Sequence, residues 1–222
     1  MQKKDSKDGM ISDEKNQLHM AWKKLYLGHL TEETSTRLLH YLDLLEQWNS
    51  VYNLTSIREK SAMLSYHVFD SLSIVREIAY ERCILDVGSG GGVPGMILAM
   101  VRPDLKVTLL DASSKKTAFL RQALIELNLN LVQVETTRVE QFSSTGFDYI
   151  VSRAFSQLND FVSLTRHLLN KEGRWLAMKG GYPYEELQKL PSWTEVVDVK
   201  KLEVPQLNAA RHLVIVRLSE EY

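Results

Sequence analysis

The sequence contains a single cysteine, Cys83, among 222 residues. One thiol excludes a disulfide within the chain and any zinc site built from several cysteines, so a reducing compartment is expected. No apolar run approaches the roughly 18 residues that a membrane-spanning helix needs. Residues 1–17 are polar and lack the apolar core of a secretory signal. We therefore expect a cytoplasmic protein without a membrane partner.

The chain also lacks an excess of charge of either sign. Lys and Arg number 27 against 28 Asp and Glu, which gives a formal net charge of -1 and a pI near 6.6. A protein that binds mainly the nucleic-acid backbone is usually strongly basic. Any contact with RNA must therefore depend on a local group of cations, and isolated RNA is expected to bind weakly.

Length and composition predict how the chain is organised. A chain of 222 residues can bury a sizeable core and fits one α/β domain with a small helical addition. Residues 1–17, rich in Lys, Asp and Ser, are predicted to be a disordered tail. Residues 18–80 are predicted to form a helical cap, and residues 81–222 the cofactor-binding domain. Thr31 is placed to begin a cap helix, and a further helix is predicted over residues 61–79.

The most informative stretch is a glycine-rich loop that follows an apolar strand. It reads Cys83-Ile-Leu-Asp86-Val-Gly88-Ser-Gly90-Gly91-Gly92-Val-Pro94-Gly95. Glycines allow backbone angles and a close ligand approach that a Cβ would block, and Pro94 suits the first turn of the following helix. The dinucleotide fingerprint G-x-G-x-x-G needs a third glycine at position 93, which is Val93. The acid-x-Gly-x-Gly-x-Gly form is typical of S-adenosylmethionine (SAM) methyltransferases, so SAM is favoured over NAD.

A second element supports a nucleotide-type cofactor and extends the fold prediction. An apolar run from Val107 ends at Asp111, about twenty residues past the glycines, where a carboxylate accepts hydrogen bonds from ribose hydroxyls. Alternating strand-like and helical runs predict an α/β, Rossmann-like methyltransferase fold with a doubly wound, mainly parallel, seven-stranded sheet and an antiparallel final strand. The predicted strands after the first span residues 107–112, 131–135, 147–152, 175–178, 196–199 and 212–218.

Five short motifs, taken in chain order, resemble one family. They are Trp48-Asn49-x-x-x-Asn53-Leu54-Thr55, His67-x-x-Asp70-Ser71, the loop from Asp86 to Gly95, Ser152-Arg153-Ala154 and Arg211-His212-Leu213. In this combination the chain, from about Thr31 to Leu218, is similar to the bacterial small-subunit ribosomal RNA methyltransferase G family, also called glucose-inhibited division protein B. The resemblance implies an enzyme that uses SAM to methylate N7 of a guanosine in the decoding-site region of 16S ribosomal RNA.

The same resemblance implies which residues contact the cofactor and the RNA. The SAM pocket is expected to be lined by Gly88, Gly90, Gly92, Val93, Asp111, Val139, Glu140 and Arg153. Substrate contacts are expected from Asn53, His67, Asp70, Phe155, Lys179 and Arg211. Lys179 and Arg211 stand at strand ends and are expected to face the substrate. The expected partner is 16S ribosomal RNA within the 30S subunit or an assembly intermediate, and the protein is expected to be a monomer.

Several substrate candidates also have a purely structural interpretation. Asn53 lies in a sequence that suits a turn or a helix cap. His67 and Asp70 share one helix face and form an interior pair as readily as a polar site. Phe155 suits a core aromatic as well as a stacking partner for an unstacked guanine. His67 has no second His or Cys at ligand spacing, so no metal is expected.

The chemistry of the implied reaction requires no acid/base pair. Guanine N7 carries an in-plane lone pair and attacks the sulfonium methyl without first losing a proton, so no general base is assigned. Catalysis then depends on positioning and electrostatics. The cofactor loop alone leaves other classes open: a SAM methyltransferase for another RNA, a protein or a small molecule, an NAD-dependent oxidoreductase, and a noncatalytic sensor of an adenine ligand.

Overall fold

The computed structural model describes residues 2–144, 146–153, 155 and 157–220, with side chains from Asp13 onward, so Ala154 lies outside the described residues. The strands are β1 (Cys83–Val87), β2 (Lys106–Leu110), β3 (Val132–Glu135), β4 (Phe147–Ser152), β5 (Leu169–Lys179), β6 (Thr194–Lys201) and β7 (His212–Leu218). The α-helices are α1 (Gln2–Lys24), α2 (Glu32–Tyr52), α3 (Lys60–Met63), α4 (Asp70–Leu72), α5 (Gly95–Val101), α6 (Ser114–Glu126), α7 (Leu158–Thr165) and α8 (Tyr184–Leu187). A π-helix spans Leu64–Phe69, and 3₁₀ turns span Val75–Glu77, Val139–Gln141 and Arg166–Leu168.

The strands of the described residues form one seven-stranded sheet in the order β3-β2-β1-β4-β5-β7-β6. The pairs from β3 to β5 are parallel, whereas β7 is antiparallel to both β5 and β6. The predicted doubly wound, mainly parallel sheet with an antiparallel final strand is therefore confirmed. The chain winds outward from β1 to β3 and then crosses back to β4, beside β1. Ligands bind beyond the carboxyl ends of the strands at such a switch point.

Helices cover both faces of the sheet. On one face α2 presents the apolar stripe that its helical spacing predicts, and Leu38, Leu42 and Leu45 are fully buried in it. On the other face the indole N–H of the buried Trp175 donates to Thr165 Oγ1 at 2.8 Å. Each of the fully buried leucines of α2 contributes about 1.5–3 kcal/mol to the free energy of folding. The apolar face of α2 packs against α5 and α6, so these two helices lie between α2 and the sheet.

The segment predicted as one helix over residues 61–79 is broken into short pieces. α3 passes directly into the π-helix Leu64–Phe69, and α4 and a 3₁₀ turn follow. Serine hydroxyls compete here for backbone carbonyls: Ser71 Oγ donates to the His67 carbonyl at 2.6 Å, and Ser73 Oγ donates to the carbonyl three residues earlier, also at 2.6 Å. Such bonds oppose a regular helix, and π-helical turns are frequent at functional sites.

Helix α1 begins at Gln2 and so includes most of the segment 1–17, for which disorder stays a prediction. The helix is anchored near its carboxyl end, where Leu18 and Ala21 are buried. The buried carboxylate of Glu14 also forms an ion pair with Lys60 Nζ at 3.1 Å. A polar composition does not reveal such tertiary contacts. Every helix of the described residues is too short or too polar to cross a lipid bilayer.

A buried carboxylate fixes the start of α5 under the glycine loop. The N–H of Gly95 donates to Asp86 Oδ2 at 2.9 Å, and the carboxyl group is fully buried. Asp86 Oδ1 has no hydrogen-bond partner among the described residues. Burial raises the pKa of Asp86 to about 7, although the Gly95 N–H and the charge of Arg153 partly oppose that rise. Asp86 therefore supports the loop from beneath.

This environment predicts the pH dependence of stability that Asp86 contributes. Its pKa is raised on folding, so its contribution is fully present below the unfolded value near 4 and is lost as the pH rises through about 7. Relative to Asp86→Asn, which resembles the protonated acid, the parent protein should lose about 1 kcal/mol of unfolding free energy per pH unit over this range. Urea unfolding of both proteins at several pH values measures the difference.

Asp104→Asn is the matched control. Hydrogen bonds from Arg102 lower the pKa of Asp104, so its contribution to stability is lost in the opposite direction, as the pH falls below about 4. The difference in unfolding free energy between the parent protein and Asp86→Asn should change from pH 4 to pH 7. A constant difference would contradict the raised pKa of the buried Asp86 carboxyl group.

Candidate functional site

The turn after β1 is shaped by backbone constraints. Gly88 and Gly90 have positive φ angles, 73° and 57°, which residues with a Cβ rarely adopt. The N–H groups of Gly88 and Ser89 both donate to the Leu110 carbonyl at the end of β2, at 2.8 and 3.1 Å. The loop therefore lies across the carboxyl ends of β1 and β2, where its backbone lines two adjoining cavities.

The first cavity, here called the carboxylate cavity, has a volume of about 310 Å³. It is lined by Val87, Gly88, Leu110, Asp111, Ala112, Thr137, Arg138, Val139, Glu140, Phe155 and Leu164. Apolar side chains and two carboxylates thus share one space. The structure brings four of the predicted cofactor residues together here: Gly88, Asp111, Val139 and Glu140.

Asp111 links the shape of the loop to this cavity. Its Oδ2 accepts from the Gly90 N–H at 2.9 Å, and its Oδ1 accepts from the Ser113 N–H at 2.8 Å. Lys116 Nζ lies 3.7 Å from Oδ2. Each carboxylate oxygen can accept more than one hydrogen bond, so both retain capacity for a hydroxyl in the cavity.

A second cavity of about 220 Å³, here called the loop cavity, lies on the other side of Gly88. It is lined by Leu45, Leu54, Thr55, His67, Gly88, Ser89, Gly90, Gly91, Val93, Lys116 and Arg153. Gly88 is thus common to the carboxylate and loop cavities, and Val93 lines the loop cavity. Gly92 lines neither of them. A Cβ on Gly92 would come within 2.9 Å of Met96 and 3.0 Å of Leu120, so this glycine allows close packing beneath the loop.

A third cavity of about 320 Å³, here called the arginine cavity, adjoins the loop cavity. It is lined by Thr55, Ser56, Ile57, Tyr66, His67, Asp70, Arg153, Met178, Lys179, Gly180 and Arg211. The fully buried Asp70 lies between two guanidinium groups, 3.3 Å from Arg153 Nη1 and 3.1 Å from Arg211 Nε. Burial raises the pKa of Asp70, and the charges and hydrogen bonds of both arginines oppose that rise.

Arg153 joins the loop and arginine cavities. From the end of β4 its Nη1 also donates to the Tyr66 carbonyl at 2.6 Å, and its Nη2 lies 3.3 Å from His67 Nδ1. Burial and the charge of Arg153 lower the pKa of His67 to about 4, so the imidazole is neutral. The predicted cofactor residue Arg153 and the predicted substrate residues His67 and Asp70 therefore form one network.

Two predicted substrate residues lie away from the arginine cavity. Asn53 is exposed and has the left-handed conformation that ends α2, where it accepts a hydrogen bond from Arg58 at 3.3 Å. Phe155 lines the carboxylate cavity, and its ring centroid lies 5.4 Å from that of Phe161. In both cases the geometry agrees with the structural interpretation of the residue.

Lys179 and Arg211 lie at the arginine cavity, at neighbouring strand ends, and both are anchored by acids. Lys179 Nζ donates to Glu186 at 2.7 Å and to the Phe155 carbonyl at 3.1 Å. Arg211 Nε donates to Asp70 at 3.1 Å and Nη1 donates to the Ala210 carbonyl at 3.0 Å, which leaves three of its five guanidinium N–H groups for other partners. Arg211 is therefore the better placed of the two cations to contact an anion.

Sequence reasoning missed an aromatic pair beside this cavity. Tyr182 and Tyr184 are 41% and 71% exposed, and their ring centroids lie 4.3 Å apart. Tyr182 also packs edge-on against His212, whose Nδ1 lies 3.0 Å from the carbonyl of the cavity residue Gly180. The signal was present in the sequence as two tyrosines directly after Gly180-Gly181, at the end of a predicted strand.

The glycine loop is also held from the cap. The hydroxyl of Tyr41, a fully buried residue of α2, donates to the Gly91 carbonyl at 2.6 Å. Asp86 holds the far end of the same loop from the sheet side. The cap therefore sets the position of the loop as well as covering the sheet.

The three cavities are neighbours that share lining residues, and the two outer ones differ in chemistry. The carboxylate cavity offers apolar walls and acceptors for hydroxyl groups, whereas the arginine cavity offers guanidinium donors for acceptor groups. The loop cavity connects them along the glycine backbone. Within the described residues, no group of three or more His, Cys, Asp and Glu side chains is placed to hold a metal ion.

Comparison with known proteins relates the chain to one family. A family model described as GidB, rRNA small subunit methyltransferase G, matches residues 34–214. A relative named Ribosomal RNA small subunit methyltransferase G from Chromobacterium violaceum is 54% identical over 186 residues, which cover 83% of this chain and 89% of the relative. A relative of the same name from Laribacter hongkongensis is 56% identical over 178 residues, covering 80% and 86%.

Solved structures share the fold at low sequence identity. A SAM dependent methyltransferase from Aquifex aeolicus has a TM-score of 0.54 at 17% identity and covers 71% of this chain and 93% of its own. A ribosomal protein L11 methylase from Lactobacillus delbrueckii subsp. bulgaricus has a TM-score of 0.56 at 16% identity, with 68% and 77% covered. These similarities support the Rossmann-like methyltransferase fold.

The bond between Tyr41 and Gly91 predicts local stability of the loop. Tyr41→Phe removes the only donor to this carbonyl among the described residues and leaves a buried acceptor unpaired, at a cost of about 1–3 kcal/mol. Amide hydrogen exchange of residues 88–95 should become about tenfold faster or more. Tyr149→Phe is the control, because Tyr149 accepts from the Ala79 N–H at the opposite end of the sheet. Equal exchange of the loop in both variants would contradict the role of Tyr41.

Proposed function

This chain belongs to the rRNA small subunit methyltransferase G family, and we propose that it transfers the methyl group of SAM to N7 of a guanosine in 16S ribosomal RNA, in the decoding-site region. One observation supports this most directly. A cavity lined by carboxylates and a cavity lined by arginines both adjoin the loop cavity, the first through Gly88 and the second through Thr55, His67 and Arg153. The site thus joins a nucleoside-binding end to a base-binding end.

The carboxylate cavity fits the nucleoside part of SAM. Val87, Leu110 and Val139 offer apolar walls for an adenine ring, and Asp111 and Glu140 offer acceptors for ribose hydroxyls. The loop glycines allow close approach of the methionine part, and Val93 and Arg153 also line the loop cavity. When bound, SAM supplies an electrophilic methyl group. Gly90 and Gly92 support this arrangement through loop conformation and packing.

The arginine cavity suits the acceptor base. Guanine presents two hydrogen-bond acceptors, N7 and O6, on one edge, and guanidinium and hydroxyl donors complement that edge. The lone pair of N7 needs no deprotonation, and the low pKa of His67 means that this side chain is no proton acceptor poised near neutral pH. The protein's part in the reaction is then to orient the guanine and exclude water.

An RNA substrate must deliver the guanine as an unstacked base. Tyr182 and Tyr184 offer exposed aromatic faces beside the arginine cavity, where neighbouring bases can stack. The net charge of -1 favours an assembled particle over naked RNA as the substrate, because few cations are available for phosphate contacts. The proposed partner is therefore the 30S subunit or an assembly intermediate in the cytoplasm, bound by a monomer whose cap, residues 18–80, closes over the catalytic domain, residues 81–222.

Methyl transfer to small subunits tests this function. The protein is incubated with radiolabelled SAM and with 30S subunits from cells that lack this enzyme, and labelled nucleosides are identified after nuclease digestion. We expect label in 7-methylguanosine at one position of 16S ribosomal RNA. Subunits that already carry the modification serve as the control and should take up no label.

Two results would contradict the proposal. Label in a different nucleoside would retain the RNA substrate and change the acceptor atom. Absence of label in RNA, with SAM still bound in an equilibrium assay, would point to a different methyl acceptor.

The tyrosine pair predicts a defect on the RNA side only. Tyr182→Ala and Tyr184→Ala each remove one stacking surface, which is worth about 1–3 kcal/mol per base. The KM for 30S subunits should rise about fivefold or more, while the Kd for SAM stays unchanged. Tyr80→Ala is the matched control, because Tyr80 is 78% exposed and precedes β1 at the opposite end of the sheet. An unchanged KM for 30S subunits in both Tyr182→Ala and Tyr184→Ala would contradict the stacking role of the tyrosine pair.

A further inference from the structure

Thr55 lines both the loop cavity and the arginine cavity from the turn that follows α2. A hydroxyl ordinarily donates one hydrogen bond and accepts up to two, so it binds a carbonyl oxygen and an amino group equally well. By itself such a group cannot distinguish guanine from adenine. The neighbours of Thr55 remove this ambiguity.

The backbone around Thr55 is fixed by Asn49. The N–H of Thr55 donates to Asn49 Oδ1 at 2.9 Å, and Asn49 Nδ2 donates to the Ile57 carbonyl at 3.2 Å. Asn49 is buried. In the same turn the N–H of Ile57 donates to Thr55 Oγ1 at 3.2 Å. One acceptor position of the hydroxyl is therefore occupied by the backbone.

The second acceptor position is occupied by His67. A guanidinium group only donates, so we assign Nδ1 of His67 as the acceptor in its 3.3 Å contact with Arg153 Nη2. The neutral imidazole then carries its proton on Nε2. Nε2 lies 3.1 Å from Thr55 Oγ1, so it donates to the hydroxyl. Burial and Arg153 lower the pKa of His67, which keeps the ring in this neutral form.

Both lone pairs of Thr55 Oγ1 are thus used, and only its O–H remains for another partner. Within the described part of the chain, Oγ1 contacts no further hydrogen-bonding group. We propose that Thr55 is a donor-only specificity residue that binds O6 of the guanine whose N7 is methylated and rejects the amino group that adenine carries at the same position. This inference rests on the proposed function.

The chemistry of the purine edge explains why this contact matters. O6 and N7 of guanine lie on one edge of the base, so a donor fixed at O6 also sets the direction of the N7 lone pair. Adenine presents an N–H donor at that position, which would face the O–H donor of Thr55 with no acceptor between them. His67 is then a positioning residue, because it acts on the substrate through Thr55.

Base analogues at the target nucleotide test the contact. We would reconstitute 30S subunits on 16S RNA that carries guanosine, inosine or 2-aminopurine riboside at the methylated position, and measure initial rates of methyl transfer. Inosine retains O6 and N7, whereas 2-aminopurine retains N7 and lacks O6. The parent protein should methylate inosine within about threefold of guanosine and 2-aminopurine about 10 to 100 times more slowly, as expected for one buried hydrogen bond.

Variants of Thr55 assign the effect to this residue. Thr55→Val removes the donor, so the rate on guanosine should fall to the level seen with 2-aminopurine, and the ratio between the two substrates should fall to about threefold or less. Thr55→Ser restores the hydroxyl and should restore the ratio. Thr55→Ala serves the same purpose as Thr55→Val if the larger apolar side chain prevents folding, which thermal unfolding reports separately.

The outcomes separate this inference from the proposed function. Full discrimination against 2-aminopurine in Thr55→Val or Thr55→Ala would overturn the role of Thr55 while leaving the guanosine-N7 activity in place. Equal rates of the parent protein on guanosine, inosine and 2-aminopurine would also overturn the role of Thr55 and would leave the guanosine-N7 activity in place. Failure of the parent protein to methylate guanosine at all would instead contradict the proposed function, and with it this contact.

Discussion

The organisation of the site depends on the position of one guanidinium group. Arg153 follows the end of β4, beside the switch point of the sheet. Its guanidinium group extends into the cap, where it contacts the Tyr66 carbonyl, His67 Nδ1 and the Asp70 carboxylate. A partly buried charge that loses its partners is costly, so the cap and the sheet stabilise each other through this residue. The loop cavity and the arginine cavity share Arg153 as a common wall. Neither cavity keeps its shape if the cap moves away from β4.

The parts of the site that are specified locally were predictable from the sequence. Gly88 and Gly90 are glycines because their φ angles are positive, and Asp111 ends a strand whose apolar pattern is plain. The sheet order follows from the alternation of elements together with the rules for parallel crossovers. The Rossmann-like fold and two of the expected cofactor residues in the carboxylate cavity, Gly88 and Asp111, therefore follow from short-range patterns, whereas Val139 and Glu140 were expected only from the family resemblance.

The parts that depend on distant contacts were not predictable in this way. The break in the segment 61–79 is a π-helix, and the carbonyl of Tyr66 within that π-helix meets Arg153 from β4, 87 residues later in the chain. The spacing of His67 and Asp70 indicated a shared face, but only the fold brings Arg211 to Asp70. The burial of Leu18 draws α1 onto the domain although most of its sequence is polar. Local serine hydrogen bonds contribute to the break in the helix, whereas the pairing of Arg211 with Asp70 and the burial of Leu18 depend on tertiary contacts.

Arginine is required at position 153 by the geometry of its acceptors. Its guanidinium meets a backbone carbonyl, a carboxylate and an imidazole nitrogen at the same time, and a planar group with five donors can do this where a lysine ammonium cannot. The contact with Nδ1 sets the tautomer assigned to His67, and burial together with the positive charge of Arg153 lowers the pKa of the ring to about 4. The tautomer then determines which way the hydrogen bond to Thr55 points. One side chain therefore sets the shape, the charge and the hydrogen-bond direction of the substrate side of the site.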